Sequence, residues 1–322
     1  MTASGPLEIL KLAIFYGSWL YFPAAAFLVW TLHKRRGAER IAAAVALLFL
    51  TTLAYARFIE PRLLLTAEHE ASLSRCFPEA GSLRLAVFSD THEGLFGNAI
   101  PISRIAARVE QANADAVLIA GDFVYFLAPE RYDETFGAFM TISAPVFGVL
   151  GNHDIGLPGA DVSAPLTAAL TALDVRMIDN KFETIAPGGA QVEIVGLSDL
   201  WAENQKRALL EKRGDAPRIV LTHNPSTILE LRPREAVDLL IAGHTHGGQI
   251  NIPLVTCALT SACRVARYGF AQTERGLVFV TSGTGMVGLP MRFNAAPRID
   301  IIDLDWRACE KFAAVRRPLS FS

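Results

Sequence analysis

Five short polar motifs, each at the end of an apolar run, constrain this chain more than any other feature. They read Ser89-Asp90-Thr91-His92, Gly121-Asp122, Gly151-Asn152-His153-Asp154, Leu221-Thr222-His223-Asn224 and Gly243-His244-Thr245-His246-Gly247-Gly248. The strand-like runs before them cover residues 85 to 88, 116 to 120, 146 to 150, 218 to 220 and 237 to 242. Strands of one sheet deliver their C-terminal ends to one edge, where α/β proteins build sites. Five of the seven histidines therefore gather, with Asp and Asn, at a sheet edge.

Between the strand-like runs the spacing turns helical. Residues 101 to 112 set Ile102, Ile105, Ala106 and Val109 on one face. Further helices are predicted over 129 to 142, 164 to 173 and 203 to 213. Residues 191 to 196, after Gly188-Gly189, read as part of a hairpin. Short strands at 249 to 252, 277 to 281 and 299 to 304 close the chain. Early βαβ alternation with a β-rich end predicts an α/β fold of two packed, mixed sheets flanked by helices.

The first 59 residues read differently. Residues 12 to 32 carry no charge and are long enough to cross a bilayer. A basic loop with Lys34, Arg35, Arg36 and Arg40 follows, and 41 to 59 is apolar again apart from Arg57. This predicts a transmembrane helical hairpin (1–59), a connector (60–82) broken by Pro61, Pro78 and Gly81, and a catalytic domain (83–322). The loop holds more Lys and Arg than its flanks, so positive-inside logic leaves it in the cytoplasm and sends the domain outside. An alternative is an exported chain cleaved after Ala54-Tyr55-Ala56, a small-residue site preceded by an apolar stretch and Arg35-Arg36. Both readings export the domain.

The net charge of −2 gives no sign of nucleic-acid binding. The four cysteines, Cys76, Cys257, Cys263 and Cys309, show no zinc-ligand spacing. They are either free thiols or, in an oxidising compartment, the pairs Cys257 with Cys263 and Cys76 with Cys309.

The motifs form a metal-ligand set. Asp90 and His92, one residue apart, can reach one ion from an irregular loop. Asp122 has two oxygens with which to bridge two ions, Asn152 offers an amide oxygen, and His223, His244 and His246 add imidazoles. Oxygen and imidazole without thiolate suit Mn, Fe, Zn or Co. Two ions clamp the attacking and leaving oxygens of an in-line displacement, and water bridging them ionises near neutral pH. His153 is placed to donate a proton to the leaving oxygen or to stabilise the phosphoryl charge, and Asp154 to orient its ring.

The order Asp-x-His, Gly-Asp, Gly-Asn-His-Asp, His, Gly-His-Thr-His resembles that of the calcineurin-like metallophosphoesterase superfamily over residues 83 to 305. Gly121-Asp122-Phe123-Val124 and Gly243-His244-Thr245-His246-Gly247-Gly248-Gln249-Ile250 are similar to its membrane-associated bacterial branch. The resemblance implies a four-layer α-β-β-α sandwich and two divalent ions. One would be held by Asp90, His92, Asp122 and His246, the other by Asp122, Asn152, His223 and His244, with His153 as catalytic acid. The insertion around Cys257 and Cys263 departs from the plainer loop of that pattern.

Substrate signals are thinner. Phe123, Tyr125, Phe126 and Leu127 either line the entrance or pack beneath it. Arg292, after the glycine-rich stretch 281 to 288, is a candidate phosphate contact. Attachment to a bacterial inner membrane, with the domain on the periplasmic side, points to a phosphodiester or phosphomonoester of an envelope or lipid-linked substrate. The alternatives are a cytoplasmic UDP-2,3-diacylglucosamine diphosphatase of lipid A synthesis and a non-catalytic metal-binding scaffold.

Overall fold

The computed structural model describes residues 5–97, 99–212 and 214–309. The expected end of the domain at 310–322, the first four residues of the anchor and Arg213 of the expected 203–213 helix lie outside them.

The chain opens with two long apolar helices. The first runs through α1 (Pro6–Gly17) and a 3₁₀ turn (Ser18–Leu20) into α2 (Tyr21–Lys34). The second is α3 (Gly37–Ala54), carried on by a π turn and a 3₁₀ turn to Arg62. They pack as a hairpin about Arg35-Arg36, with Ala43 buried. Phe27, Ile41, Val45, Leu48 and Phe49 point outward, at least three-fifths exposed. Both helices are long and apolar enough to cross a membrane.

The strands are β1 (Leu65–Ser72), β2 (Gly81–Phe88), β3 (Glu93–Gly94), β4 (Ala116–Ile119), β5 (Val124–Tyr125), β6 (Val146–Gly148), β7 (Val175–Met177), β8 (Lys181–Ile185), β9 (Val192–Gly196), β10 (Arg218–Leu221), β11 (Leu239–Ala242), β12 (Gly269–Thr273), β13 (Gly276–Val280) and β14 (Arg298–Trp306). Among the described residues they build two six-stranded mixed sheets, β1-β14-β2-β4-β6-β7 and β12-β13-β11-β10-β9-β8, and a two-stranded pair, β3-β5. The short helices are α4 (Ile102–Glu110), α5 (Tyr132–Phe136), α6 (Ser163–Ala172), α7 (Thr227–Glu230) and α8 (Val255–Leu259).

Period-two alternation explains the layering. Leu85, Val87 and Leu118 face Ile219, Leu221, Leu239 and Ile241 across the space between the sheets. Their neighbours Ala86, Phe88, Val117 and Ile119 face the other way, onto Ile102, Ile105, Val109, Phe136 and Leu166 of α4, α5 and α6. Val220, Leu240 and Val278 turn outward onto Leu210, Ile228 and Leu231. The inner strands are apolar on both faces because both faces are covered. This is the predicted sandwich.

Several elements depart from expectation. The segment expected as a connector contributes β1, which pairs in parallel with β14 at the sheet edge. The expected 129–142 helix breaks at Gly137 into α5 and flanking 3₁₀ turns. The expected 203–213 helix survives as one 3₁₀ turn, Arg207–Leu210. Asn180 accounts for that: its Oδ1 accepts the Lys206 N–H at 2.8 Å and its Nδ2 donates to the Asn204 carbonyl at 3.1 Å, holding the chain in an irregular path. Residues 249 to 252 form a single bridge, Ile250 with Phe293, in place of a strand.

Candidate metal centre

The parallel strands β2, β4 and β6 of the first sheet and β10 and β11 of the second bring their C-terminal ends together. Each then turns abruptly. Asp90, His92, Asp122, His244 and His246 all have positive φ, between 46° and 69°. Left-handed backbone costs a non-glycine residue roughly 1 kcal/mol or more, and such strain collects where a site dictates geometry. The glycines of the motifs allow the ends to crowd. A Cβ at Gly151 would lie 2.2 Å from Asp122 Oδ1, and one at Gly243 would lie 2.3 Å from Ser89 Oγ.

One cluster forms around Asp90. His92 Nε2 and His246 Nε2 approach to 3.0 Å, their rings stacked at 4.8 Å. Asp90 Oδ1 lies 3.3 Å from His246 Nε2 and 3.8 Å from His92 Nε2. The other oxygen, Oδ2, accepts the Ser89 hydroxyl and, at 3.1 Å, the His244 N–H. Around Asp122 a second cluster forms. His223 Nδ1 meets the Ala120 carbonyl at 2.7 Å, which directs Nε2 toward Asp122 Oδ2 at 3.2 Å and His244 Nδ1 at 3.1 Å. Asp122 Oδ2 is also 3.5 Å from His92 Nε2, so one carboxylate oxygen stands between the clusters. Asn152 Nδ2 donates to the Leu157 carbonyl at 2.5 Å.

This donor set fits a pair of divalent ions. Asp90 Oδ1 and Asn152 Oδ1 are buried without a hydrogen-bond partner, which is costly unless something else fills their lone pairs. Burial holds His92 and His246 well below the ordinary imidazole value, and burial with the charge of His223 pushes His244 down to about 3. Neutral imidazoles are what a metal needs. Burial pushes Asp90 up to about 6. Burial also opposes ionisation of Asp122 and His223, yet their contact holds Asp122 well below the carboxylate range and His223 well above the imidazole range. The buried carboxylates thus call for positive charge between them, which divalent ions would bring.

Six of the seven expected ligands are therefore together and His153 joins them, while the seventh, Asn152, precedes the His153 N–H that Asp122 Oδ1 accepts. A His153 ring nitrogen comes within 4.8 Å of ligand atoms of His92 and Asp122. Its ring stands edge-to-face to His92 and to Tyr125, both at 4.9 Å.

Asp154 is a correction. Its carboxylate accepts the N–H groups of Gly151, Phe123 and Val124 at 2.9, 3.2 and 3.1 Å and makes no contact with the His153 ring, whose Nδ1 has no partner. Burial and the nearby Asp122 push Asp154 up to about 8, against the pull of those three donors. It ties the β4 loop to the β6 loop. Asp154→Ala leaves three buried donors unpaired and is expected to lower stability by about 3–5 kcal/mol, read as a fall in the denaturation midpoint. A wild-type midpoint would contradict this role.

Arg292 is a second correction. Fully buried, it donates to the carbonyls of Gly285, Ser282 and Ala295 at 2.8, 3.0 and 2.8 Å, and its Nη2 lies 3.4 Å from His246 Nδ1. It supports the site from behind and is closed to a substrate phosphate. Of the four residues considered for the entrance, Phe123 and Leu127 pack in the core, whereas Tyr125 and Phe126 stand beside His153.

Other residues of the site escaped the sequence reading. Trp201 sets its ring edge-to-face on His244 at 4.8 Å. It lines a cavity of about 330 Å³ together with His244, His246, Gln249, Arg264 and Val287. Asp199 Oδ2 is buried beside it without a partner. The signal was present, since Ser198-Asp199 follows the apolar run of β9 as the other motifs follow theirs. Lys11 had no such signal. From α1 its Nζ donates to the Tyr125 hydroxyl at 2.5 Å, and the neighbouring Phe15 stacks on Phe96 at 5.5 Å.

Residues 83–248 match the profile of a family described as calcineurin-like phosphoesterase. The chain is 30% identical over 260 residues to the Bacillus subtilis protein named uncharacterized metallophosphoesterase YkuE, covering 78% of this chain and 88% of that one. It is 28% identical over 283 residues to the Escherichia coli phosphodiesterase YaeI, covering 84% and 98%. The Chlamydia muridarum UDP-2,3-diacylglucosamine pyrophosphatase LpxG is 26% identical over 306 residues, covering 78% and 92%.

Proposed function

This chain belongs to the calcineurin-like phosphoesterase family and is a metal-dependent phosphoric ester hydrolase, and from that premise we propose that it hydrolyses a phosphodiester or phosphomonoester of an envelope or lipid-linked substrate at the membrane surface. The observation that carries the reading is Asp122 Oδ2, set between His92 and His223 at the convergence of two ligand clusters. Asp90, His92, Asp122 and His246 would hold one divalent ion, and Asp122, Asn152, His223 and His244 the other. Bound there, the two ions supply water activation and charge neutralisation at phosphorus. His153, half-buried and with an Nδ1 that meets no protein partner, gives its proton to the leaving oxygen. Tyr125 keeps the His153 ring in its plane. A metal-binding scaffold would have no use for His153, which disfavours that reading.

The lipid-linked substrate rests on the anchor. The apolar helices are tied to the wall of the site through Lys11 and Phe15. For the side of the membrane, the basic loop favours an extracytoplasmic domain. So do the two disulfides, Cys76 with Cys309 and Cys257 with Cys263. A second reading, cleavage of a UDP-linked diacylglucosamine on the cytoplasmic side, takes its support from LpxG. The disulfides weigh against it.

The test is hydrolysis of bis-p-nitrophenyl phosphate and p-nitrophenyl phosphate by the full chain in detergent, stripped of metal and resupplied with Mn, Zn, Fe, Co or Mg. Metal-dependent turnover is expected, and the diester-to-monoester ratio sorts the substrate class. No turnover on either ester or on UDP-diacylglucosamine would overturn the reading. Lys11 presents positive charge beside an anionic substrate, so Lys11→Met is expected to raise KM about tenfold, ~1.4 kcal/mol of binding, with kcat unchanged and Lys11→Arg restoring it. Equal KM values in initial-rate measurements would remove Lys11 from the site.

A further inference from the structure

Beyond Gln249 the chain carries its most exposed large apolar side chains among the described residues. Leu254 is 91% and Leu259 79% exposed, above the 70% of Leu48, the highest on the anchor helices. Ile252 and Val255 stand beside them at 45% and 43%. The loop is built to hold them out. Thr256 is buried, accepts the Ile252 N–H and donates to the Ile250 carbonyl, both at 2.9 Å. The disulfide from Cys257 to Cys263 closes the turn around α8.

Its position in the fold says what covers it. Phe293 donates to the Gln249 carbonyl and Asn251 to the Phe293 carbonyl, both at 2.8 Å. The same stretch grips the foot of the second anchor helix: Arg292 N–H donates to the Ala56 carbonyl at 2.9 Å, and Ala295 N–H to Glu60 Oε1 at 2.6 Å. Val287, held by Gln249, packs in one cluster with Phe15 of the first helix. The apolar loop thus stands where both helices meet the domain. Arg264 follows it, the mixture of apolar tip and basic flank that suits a lipid interface.

We infer that this disulfide-closed loop is a second membrane contact, in which Ile252, Leu254, Val255 and Leu259 enter the boundary between headgroups and acyl chains of the leaflet that the anchor helices leave. Thr260, Ser261 and Arg264, next along the chain, line the cavity beside His244 and His246. Docking the loop sets the mouth of that cavity at headgroup depth, so the phosphate of a membrane-held amphiphile reaches the site without leaving the bilayer. The inference rests on the proposal that α1 to α3 span a membrane.

All four cysteines are consumed in the two disulfides, so one introduced cysteine carries a label alone. In the full chain, in vesicles of phosphatidylcholine and phosphatidylglycerol, Leu254→Cys is labelled with nitrobenzoxadiazole and quenched by lipids bearing a shallow nitroxide. Phe27→Cys on α2 is the membrane reference and Glu183→Cys on β8 the aqueous one. Quenching at 254 at least threefold stronger than at 183, with emission shifted to the blue, is expected. Quenching at 27 without quenching at 254 overturns the loop contact and leaves the anchor standing. Absence of quenching at both 27 and 254 overturns the anchor and this inference with it. A blue shift at 254 without quenching means that protein, such as a second copy, covers the loop, and also overturns it.

Discussion

Asp122→Ala is expected to abolish hydrolysis and to empty both metal positions. The prediction follows from where its two oxygens go. Oδ2 lies between His223 and His92, and Oδ1 accepts the His153 N–H at 2.9 Å. Truncation removes the one donor common to both clusters, releases the backbone that carries Asn152 and His153, and deprives His223 of its carboxylate. Lost stabilisation of several kcal/mol corresponds to a fall in turnover on the order of 10³-fold. Metal content after dialysis, by plasma mass spectrometry, should drop from about two ions per chain to below one. His246→Ala, which touches one cluster only, should keep one ion. An Asp122→Ala protein that retains two ions would refute the bridge.

His153→Ala is expected to separate metal binding from turnover. Its ring lies against His92 and Tyr125, its Nδ1 meets no other protein group, and its backbone N–H, which survives the change, is what holds Asp122. Metal content should therefore stay at the wild-type level. Loss of a general acid costs roughly 10²–10⁴-fold, and it falls hardest where the leaving oxygen most needs a proton. A simple alkyl ester should show the full loss, a p-nitrophenyl ester a markedly smaller one. Equal losses on both would assign His153 to binding or phosphoryl charge instead of proton transfer.

The site was legible in the sequence because its ligands follow apolar strands directly: Asp122 comes three residues after β4 ends, and His223 two after β10. Apolar periodicity places such residues, and strand order gathers them. Roles that depend on the direction of a side chain were not legible. Asp154 and His153 are adjacent in sequence, yet one turns to the backbone of the β4 loop and the other into the site. Arg292 looked like a surface cation beside glycines, and only the fold reveals the carbonyls that surround it. Lys11 was hidden for a different reason, since its partner Tyr125 lies 114 positions away. The 203–213 helix failed because a distant side chain, Asn180, takes the Asn204 carbonyl that a helix would offer to the N–H four residues on.

The place of β14 in the first sheet governs the order in which the chain can assemble. It lies between β1 and β2, parallel to one and antiparallel to the other. Neither early strand pairs with the other, so a nascent chain carries two unsatisfied strand edges until residues 298 to 306 arrive, the exposure that invites aggregation. The cysteines meet the same delay. Cys76 waits for Cys309 while Cys257 and Cys263 pass by, and four thiols allow three pairings. Correct oxidation then depends on the short loop closing first, because a closed Cys257–Cys263 turn leaves Cys76 no partner but the one that arrives last.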